Sequence, residues 1–194
     1  MAKLYFRYGA MSSGKTLDLL KVYYNYKEKG MSTLVIKPLV DTKGDSDVIS
    51  RVGSRLRVNF LVDDDDNIYD IVQNEILKKR ISCILVDEAQ FLLKKHVDQL
   101  SDVVDLLDIP VICYGLRADF RGDLFEGSKR LFEISDSIEE LKTVCDCGKK
   151  AIWNVRYVNN AITFKGSQIA IDNTDNVTYK SMCRKCMKKL RERK

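Results

Sequence analysis

Residues Gly9, Ala10, Met11, Ser12, Ser13, Gly14, Lys15 and Thr16 set two glycines around four residues, with a lysine and a hydroxyl directly behind them. That spacing suits a phosphate cradle. Glycines let backbone N–H groups fold around phosphate oxygens, Lys15 reaches the β- and γ-phosphates, and the Thr16 hydroxyl ligates Mg²⁺. Chance alone supplies the pattern in about 1% of chains of this length, so its surroundings decide. Residues 84–91, ILVDEAQF, run an apolar stretch into two acids. Asp87, closing such a strand, would hold Mg²⁺ directly or through water. Glu88 could take a proton from an attacking nucleophile, or it could only add negative charge around the metal.

Four cysteines make a second group: Cys145 and Cys147 as C-x-C, then Cys183 and Cys186 as C-x-x-C. Two close pairs can supply the four thiolates of a tetrahedral zinc site, with no position left open for catalysis. Cys83 and Cys113 sit in apolar runs and read as small buried hydrophobes. Residues 113–128, CYGLRADFRGDLFEGS, hold Leu116, Phe120 and Phe125 among charged side chains. Aromatics at the carboxyl edge of a sheet suit a flat apolar ring, although Phe125 also fits a place in the core.

These residues need elements to carry them. Residues 3–8 are aromatic and apolar enough for a strand that enters a core. The following pattern predicts a helix over 16–29, with Leu17, Leu20 and Tyr24 on its apolar face and Gly30 as C-cap. Residues 32–37 read as a second strand, and 38–55 as an aperiodic mobile loop. A helix follows over 67–79, capped by Asp66 or Asn67. The strand over 81–88 is apolar on both faces, as a central parallel strand is. A helix over 94–107 would turn Val97, Leu100, Val104 and Leu107 inward and His96 to solvent. Residues 109–115 make a fourth strand. Strand and helix alternate, which implies a P-loop NTPase-like, doubly wound α/β fold with a parallel sheet. From residue 141 the texture changes to short β-like runs. The expected organisation is an ATP-binding α/β unit over 1–140 and a small β-rich zinc-binding unit over 141–194.

At 194 residues and 45% hydrophobic content, the chain has room for one domain and an appendage. It shows neither a secretory leader nor a run of about 18 apolar residues, which points to a cytoplasmic globule without membrane partners. Net charge is +5, yet residues 180–194 hold eight Lys/Arg against one Glu, so the tail carries +7 and the rest −2. Such a tail fits either a nucleic-acid contact or a solvated helix end.

Two functions follow. One is a small-molecule kinase. The other is a nucleic-acid-stimulated P-loop ATPase, since VDEAQ also resembles the acidic motif of helicases. Size favours the first, because helicases couple two such domains.

Taken in order, GAMSSGKT, LVIKPLVDT, VISRVG, ILVDEAQF, CYGLRADFRGDLFEGS, LKTVCDCG and YKSMCRKC closely resemble the type II thymidine kinases, the cytosolic, tetrameric class. The resemblance implies ATP-dependent phosphorylation of the thymidine 5′-hydroxyl to dTMP, with deoxyuridine as a lesser substrate. It further implies feedback inhibition by dTTP, a homotetramer, and no nucleic-acid partner. Matched position by position, residues 9–16 form the triphosphate site, with Asp87, Glu88, Ala89 and Gln90 along its border and Glu88 as the base. Thr16 and Asp87 take Mg²⁺. Phe91, Leu116, Phe120, Phe125, Ile169 and Ile171 surround the nucleoside, and Tyr179 belongs to the loop that closes on it. Cys145, Cys147, Cys183 and Cys186 match the structural zinc ligands, the short C-x-C pair resembling one bacterial branch. There are departures: AIDNTDNVTY is longer than the Ile-Gly-Gly stretch of many members, and Asn154 stands where some relatives place a threonine near the base.

Overall fold

A computed structural model describes residues 1–40, 47–50, 53–168 and 177–192. In chain order the first half runs β1 (Leu4–Tyr8), α1 (Lys15–Glu28), β2 (Thr33–Pro38), β3 (Asp47–Ile49), β4 (Arg55–Arg57), β5 (Phe60–Val62), α2 (Ile68–Ile76) and β6 (Cys83–Val86). Then come α3 (Lys94–Leu107), β7 (Val111–Gly115), α4 (Glu126–Ile134) and β8 (Ser137–Glu140). The chain finishes with β9 (Thr143–Val144), β10 (Lys150–Ala151), β11 (Trp153–Val158), β12 (Ala161–Thr163), β13 (Val177–Met182) and α5 (Arg184–Glu192).

Six strands form one parallel sheet in the order β5-β2-β6-β7-β1-β8. Side chains alternate across a strand, and here both faces are apolar. On one face Leu34, Ile36, Ile84, Val86, Val111 and Cys113 pack under Ile68 and Val72 of α2, Val97 and Leu100 of α3 and Leu131 of α4. On the other, Val35, Cys83, Leu85, Ile112 and Tyr114 meet Leu19 and Leu20 of α1. Each fully buried aliphatic chain contributes about 1.5–3 kcal/mol, so these two layers hold the sheet. Because every strand is parallel, their carboxyl ends converge on one edge, the edge where α/β sheets bind ligands.

Local signals set the element ends. Gly30 has φ +68 and donates its N–H to the Lys27 carbonyl at 3.0 Å, closing α1. Asn67 caps α2 by accepting the Asp70 N–H. Glu126 reaches across from α4 to accept the Lys94 N–H at 2.7 Å, putting a carboxylate at the N-terminus of α3.

Several sequence expectations change. Leu17 and Tyr24 are 50% and 42% exposed, and the inward seam of α1 is Leu19, Leu20, Tyr23 and Tyr26. Leucines and tyrosines occur on both sides of that helix, so composition did not mark the buried face. His96 is 2% exposed, not solvent-facing. It lies in the first turn of α3, where its Nδ1 accepts the Leu93 N–H at 3.4 Å, and burial followed by Lys95 lowers its pKa. Within the expected loop 38–55, β3 pairs antiparallel with β4. Strands β5 and β8 and helix α4 were not anticipated.

Beyond the sheet, Cys145, Ala151, Val155, Met182, Cys183 and Met187 form a third buried cluster, flanked by Trp153, Phe164 and Leu190. Strands β12-β11-β13 make its sheet. From Arg184 the basic tail, as far as it is described, is helix α5, with Met187 inward and its lysines and arginines exposed, Arg191 with its guanidinium 4.7 Å from the Phe164 ring. Among the described residues no helix is long and apolar enough to cross a membrane.

Candidate active site

The glycine loop joins β1 to α1 at the converging edge. Ser12 and Gly14 take left-handed backbone angles, φ 64 and 81, and Gly14 opens α1 directly. Gly9 is required by proximity: a Cβ there would lie 2.4 Å from the Leu141 carbonyl oxygen. Lys15 is buried, and its ammonium donates to the carbonyls of Ala10 and Gly9 at 3.2 and 3.4 Å. The lysine therefore spans the loop it would serve.

Asp87 follows β6 at the same edge and is 4% exposed. Burial and the neighbouring Glu88 push its carboxyl up to about 7, against the pull of Lys15 and Lys37. A buried acid within reach of the charge of the glycine-loop lysine fits a site for Mg²⁺ and a nucleotide.

Glu88 has φ 49, a left-handed conformation rare for its type, which swings the chain off the strand into a 3₁₀ turn over Ala89–Phe91. Gln90 then fixes the carboxylate. Its Nε2 donates to Glu88 Oε2 at 2.5 Å, while its Oε1 accepts the Leu116 N–H at 2.9 Å. One buried amide thus ties the end of β6 to the end of β7. Gly127 lets α4 sit against this turn, since a Cβ there would lie 2.5 Å from the Ala89 oxygen. Sequence reasoning gave Gln90 only a border position; its bridging role depends on a partner 26 residues away.

The aromatic wall is partly core. Phe120 and Phe125 are both buried, and Phe91 meets Phe125 edge-on with centroids 5.6 Å apart. Leu116 is half-buried, its N–H bound to Gln90 and its carbonyl to the Ser128 hydroxyl. The residue missed from sequence is Arg156. It is 3% exposed, its guanidinium stands 3.7 Å from the Phe120 ring centroid, and its Nε donates to Tyr179 Oη at 2.8 Å. Its remaining nitrogens donate to the carbonyls of Ser167 and Gln168. Asn154 and Arg156 alternate with Val155 in β11, and that polar face in an apolar strand was the available signal. Ile169 and Ile171 lie outside the described residues.

The four cysteine sulfurs lie within 4.8 Å of one another. Sulfurs held 2.3 Å from one tetrahedral ion stand about 3.8 Å apart, so the cluster could hold a metal ion. The Cys186 N–H donates to Cys183 Sγ, a backbone contact that helps hold the Cys183 thiol down at about 7.

The thymidine kinase family model matches residues 2–187. The chain belongs to the thymidine kinase family. It is 48% identical over 186 residues to the thymidine kinase of Haemophilus influenzae (strain 86-028NP), covering 95% of each chain. The thymidine kinase of Enterobacteria phage T4 is 48% identical over 187 residues, again with 95% of each covered. That of Francisella tularensis subsp. tularensis is 43% identical over 192 residues, covering 95% of this chain and 96% of its own. Members of the thymidine kinase family are phosphotransferases, and this chain's glycine loop and acid pair are the parts such chemistry needs.

Proposed function

We propose that the protein transfers the γ-phosphoryl group of ATP to the 5′-hydroxyl of thymidine, giving dTMP and ADP, with deoxyuridine as a lesser substrate. The observation that carries this is the glycine loop after β1 and the Gln90-held Glu88 after β6, on the same edge of the sheet with β7 between them, in a chain of this family. Loop amides and Lys15 receive the β- and γ-phosphates, while Thr16 and Asp87 hold Mg²⁺. When bound, Mg²⁺ neutralises charge on the phosphate oxygens. Glu88 accepts the proton of the attacking hydroxyl. Phe91, Leu116, Phe120 and Phe125 supply shape around the base, and the family resemblance extends that role to Ile169 and Ile171. Arg156 links Phe120 to Tyr179 and to the carbonyls of Ser167 and Gln168, so it holds these three segments together. Cys145, Cys147, Cys183 and Cys186 bind a structural Zn²⁺. As the resemblance implies, we extend to the protein dTTP inhibition, a homotetrameric assembly and a cytoplasmic location.

A nucleoside panel with Mg·ATP, scored for 5′-monophosphate, tests the reading. Thymidine and deoxyuridine are expected to be phosphorylated and deoxycytidine to be refused. ATP hydrolysis that responds to single-stranded DNA, without monophosphate, would replace it with the ATPase alternative.

A further inference from the structure

The crest of the glycine loop has polar backbone groups whose partners lie far along the chain. Met11 donates its N–H to Asn154 Oδ1 at 2.8 Å. The Met11 carbonyl accepts from the Ser181 hydroxyl, and the Ser12 carbonyl from Thr143 Oγ1 at 3.2 Å. Asn154 and Ser181 are register partners across β11 and β13, so one cross-strand pair grips both polar atoms of a single loop residue. Asn154 is buried, and its Nδ2 faces the Ala118 carbonyl at 3.4 Å, which orients the amide toward the loop. Thr143 and Ser181 each stand two residues before a cysteine pair, at Cys145 and Cys183. The sulfur cluster therefore joins the two segments that supply the hydroxyls.

We propose that Asn154, Ser181 and Thr143 are positioning residues of the ATP site, holding the loop crest in its phosphate-accepting form from a frame anchored at the cysteine centre. The proposal rests on the reading of residues 9–16 as the triphosphate site. A glycine- and serine-containing loop samples many backbone states, and nucleotide affinity falls in proportion to the fraction of time the accepting state is absent. Removing fixed hydrogen bonds at the crest lowers the population of that state. Ser181 and Thr143 hold peptide groups of the loop, so their effect is on nucleotide binding; Asn154 also donates to Ala118, between Leu116 and Phe120, and so touches both sides of the site.

The test uses the full, metal-loaded chain with Ser181→Ala, Ser181→Thr and Asn154→Ala. Ser181→Ala removes one hydroxyl from a half-buried surface position, so folding is not at stake. Titration with Mg·ADP is expected to show about tenfold weaker binding for Ser181→Ala and Asn154→Ala, the scale of one lost buried hydrogen bond. Ser181→Thr, which keeps the hydroxyl, should restore affinity. Thymidine KM should stay within about twofold of wild type in Ser181→Ala, and amide hydrogen exchange at residues 10–14 should accelerate in both Ala variants. Unchanged Mg·ADP affinity and exchange in both Ala variants would overturn the proposal. So would a rise in thymidine KM alone in Asn154→Ala, which would make Asn154 a base-contacting group. Wild-type protein that binds no Mg·ADP would instead overturn the triphosphate site itself, and this proposal with it.

Discussion

Replacing Glu88 by glutamine is expected to lower kcat by about 10²–10⁴-fold while Mg·ATP still binds. The two side chains have nearly the same shape, so packing against the 3₁₀ turn survives. What is lost is an acceptor for the proton of the 5′-hydroxyl. Phosphoryl transfer is mostly positioning and charge neutralisation, which the glycine loop, Lys15 and Asp87 retain in the variant. The structure adds a reason for Glu88 over Asp87 in this role. Asp87 is nearly inaccessible, whereas Glu88 is rotated out by its left-handed turn and held by Gln90 in a single direction. Single-turnover transfer from labelled ATP separates chemistry from product release and gives the cleanest measurement. Near wild-type transfer by the Glu88→Gln enzyme would leave Glu88 as no more than charge around the metal.

Removing the metal should be as severe by a different route. The cluster around Val155, Met182 and Met187 buries six residues, too few to hold a separate fold without a staple. Structural zinc contributes folding energy outright, because four thiolates meet only in the folded chain. A strong chelator, or Cys186→Ser, is therefore expected to unfold the chain from about residue 141 onward. The parallel sheet, with its own two apolar layers, should stay largely intact. Limited proteolysis with mass spectrometry would locate the cuts, and elemental analysis should give one zinc per chain. Protein purified under reducing conditions with no zinc would contradict the assignment. Activity should vanish with the metal, since Arg156, Tyr179 and the partners of Met11 all lie in the unfolded part.

The parts legible in the sequence are those whose chemistry is local. Residues 9–16, Asp87 with Glu88, and the two cysteine pairs are short spacings, and strand–helix alternation was enough to order the sheet's main elements. The parts that were not legible depend on distant partners. His96 looked solvent-facing on a helical projection because nothing local shows what covers the start of α3. Leu17 and Tyr24 are as apolar as Leu19 and Leu20, and only the sheet beneath decides between them. Arg156 reads as an ordinary charge until Phe120, 36 positions earlier, lies under its guanidinium. Helix α4 was hidden by the attention its leading segment attracts as a ligand edge.

The order of strands in the sheet also governs how the molecule is made. Strand β1 carries the glycine loop and is synthesised well before its two neighbours, β7 and β8, residues 111–115 and 137–140. At about 5–20 residues per second, β1 waits roughly 5–20 s on the ribosome for its first partner. The crest of its loop waits longer still, for Thr143, Asn154 and Ser181. An incomplete chain thus exposes the strand edge of Leu4 and Phe6 and has no finished seat for a nucleotide. Ribosome-arrested chains of increasing length should reach full ATP affinity only once residue 181 has emerged, having bound at least about tenfold more weakly before it; full affinity in chains that stop before residue 111 would refute this order. Nucleotide affinity then reports how far the chain has been built, withholding full ligand stabilisation from products that end before residue 181.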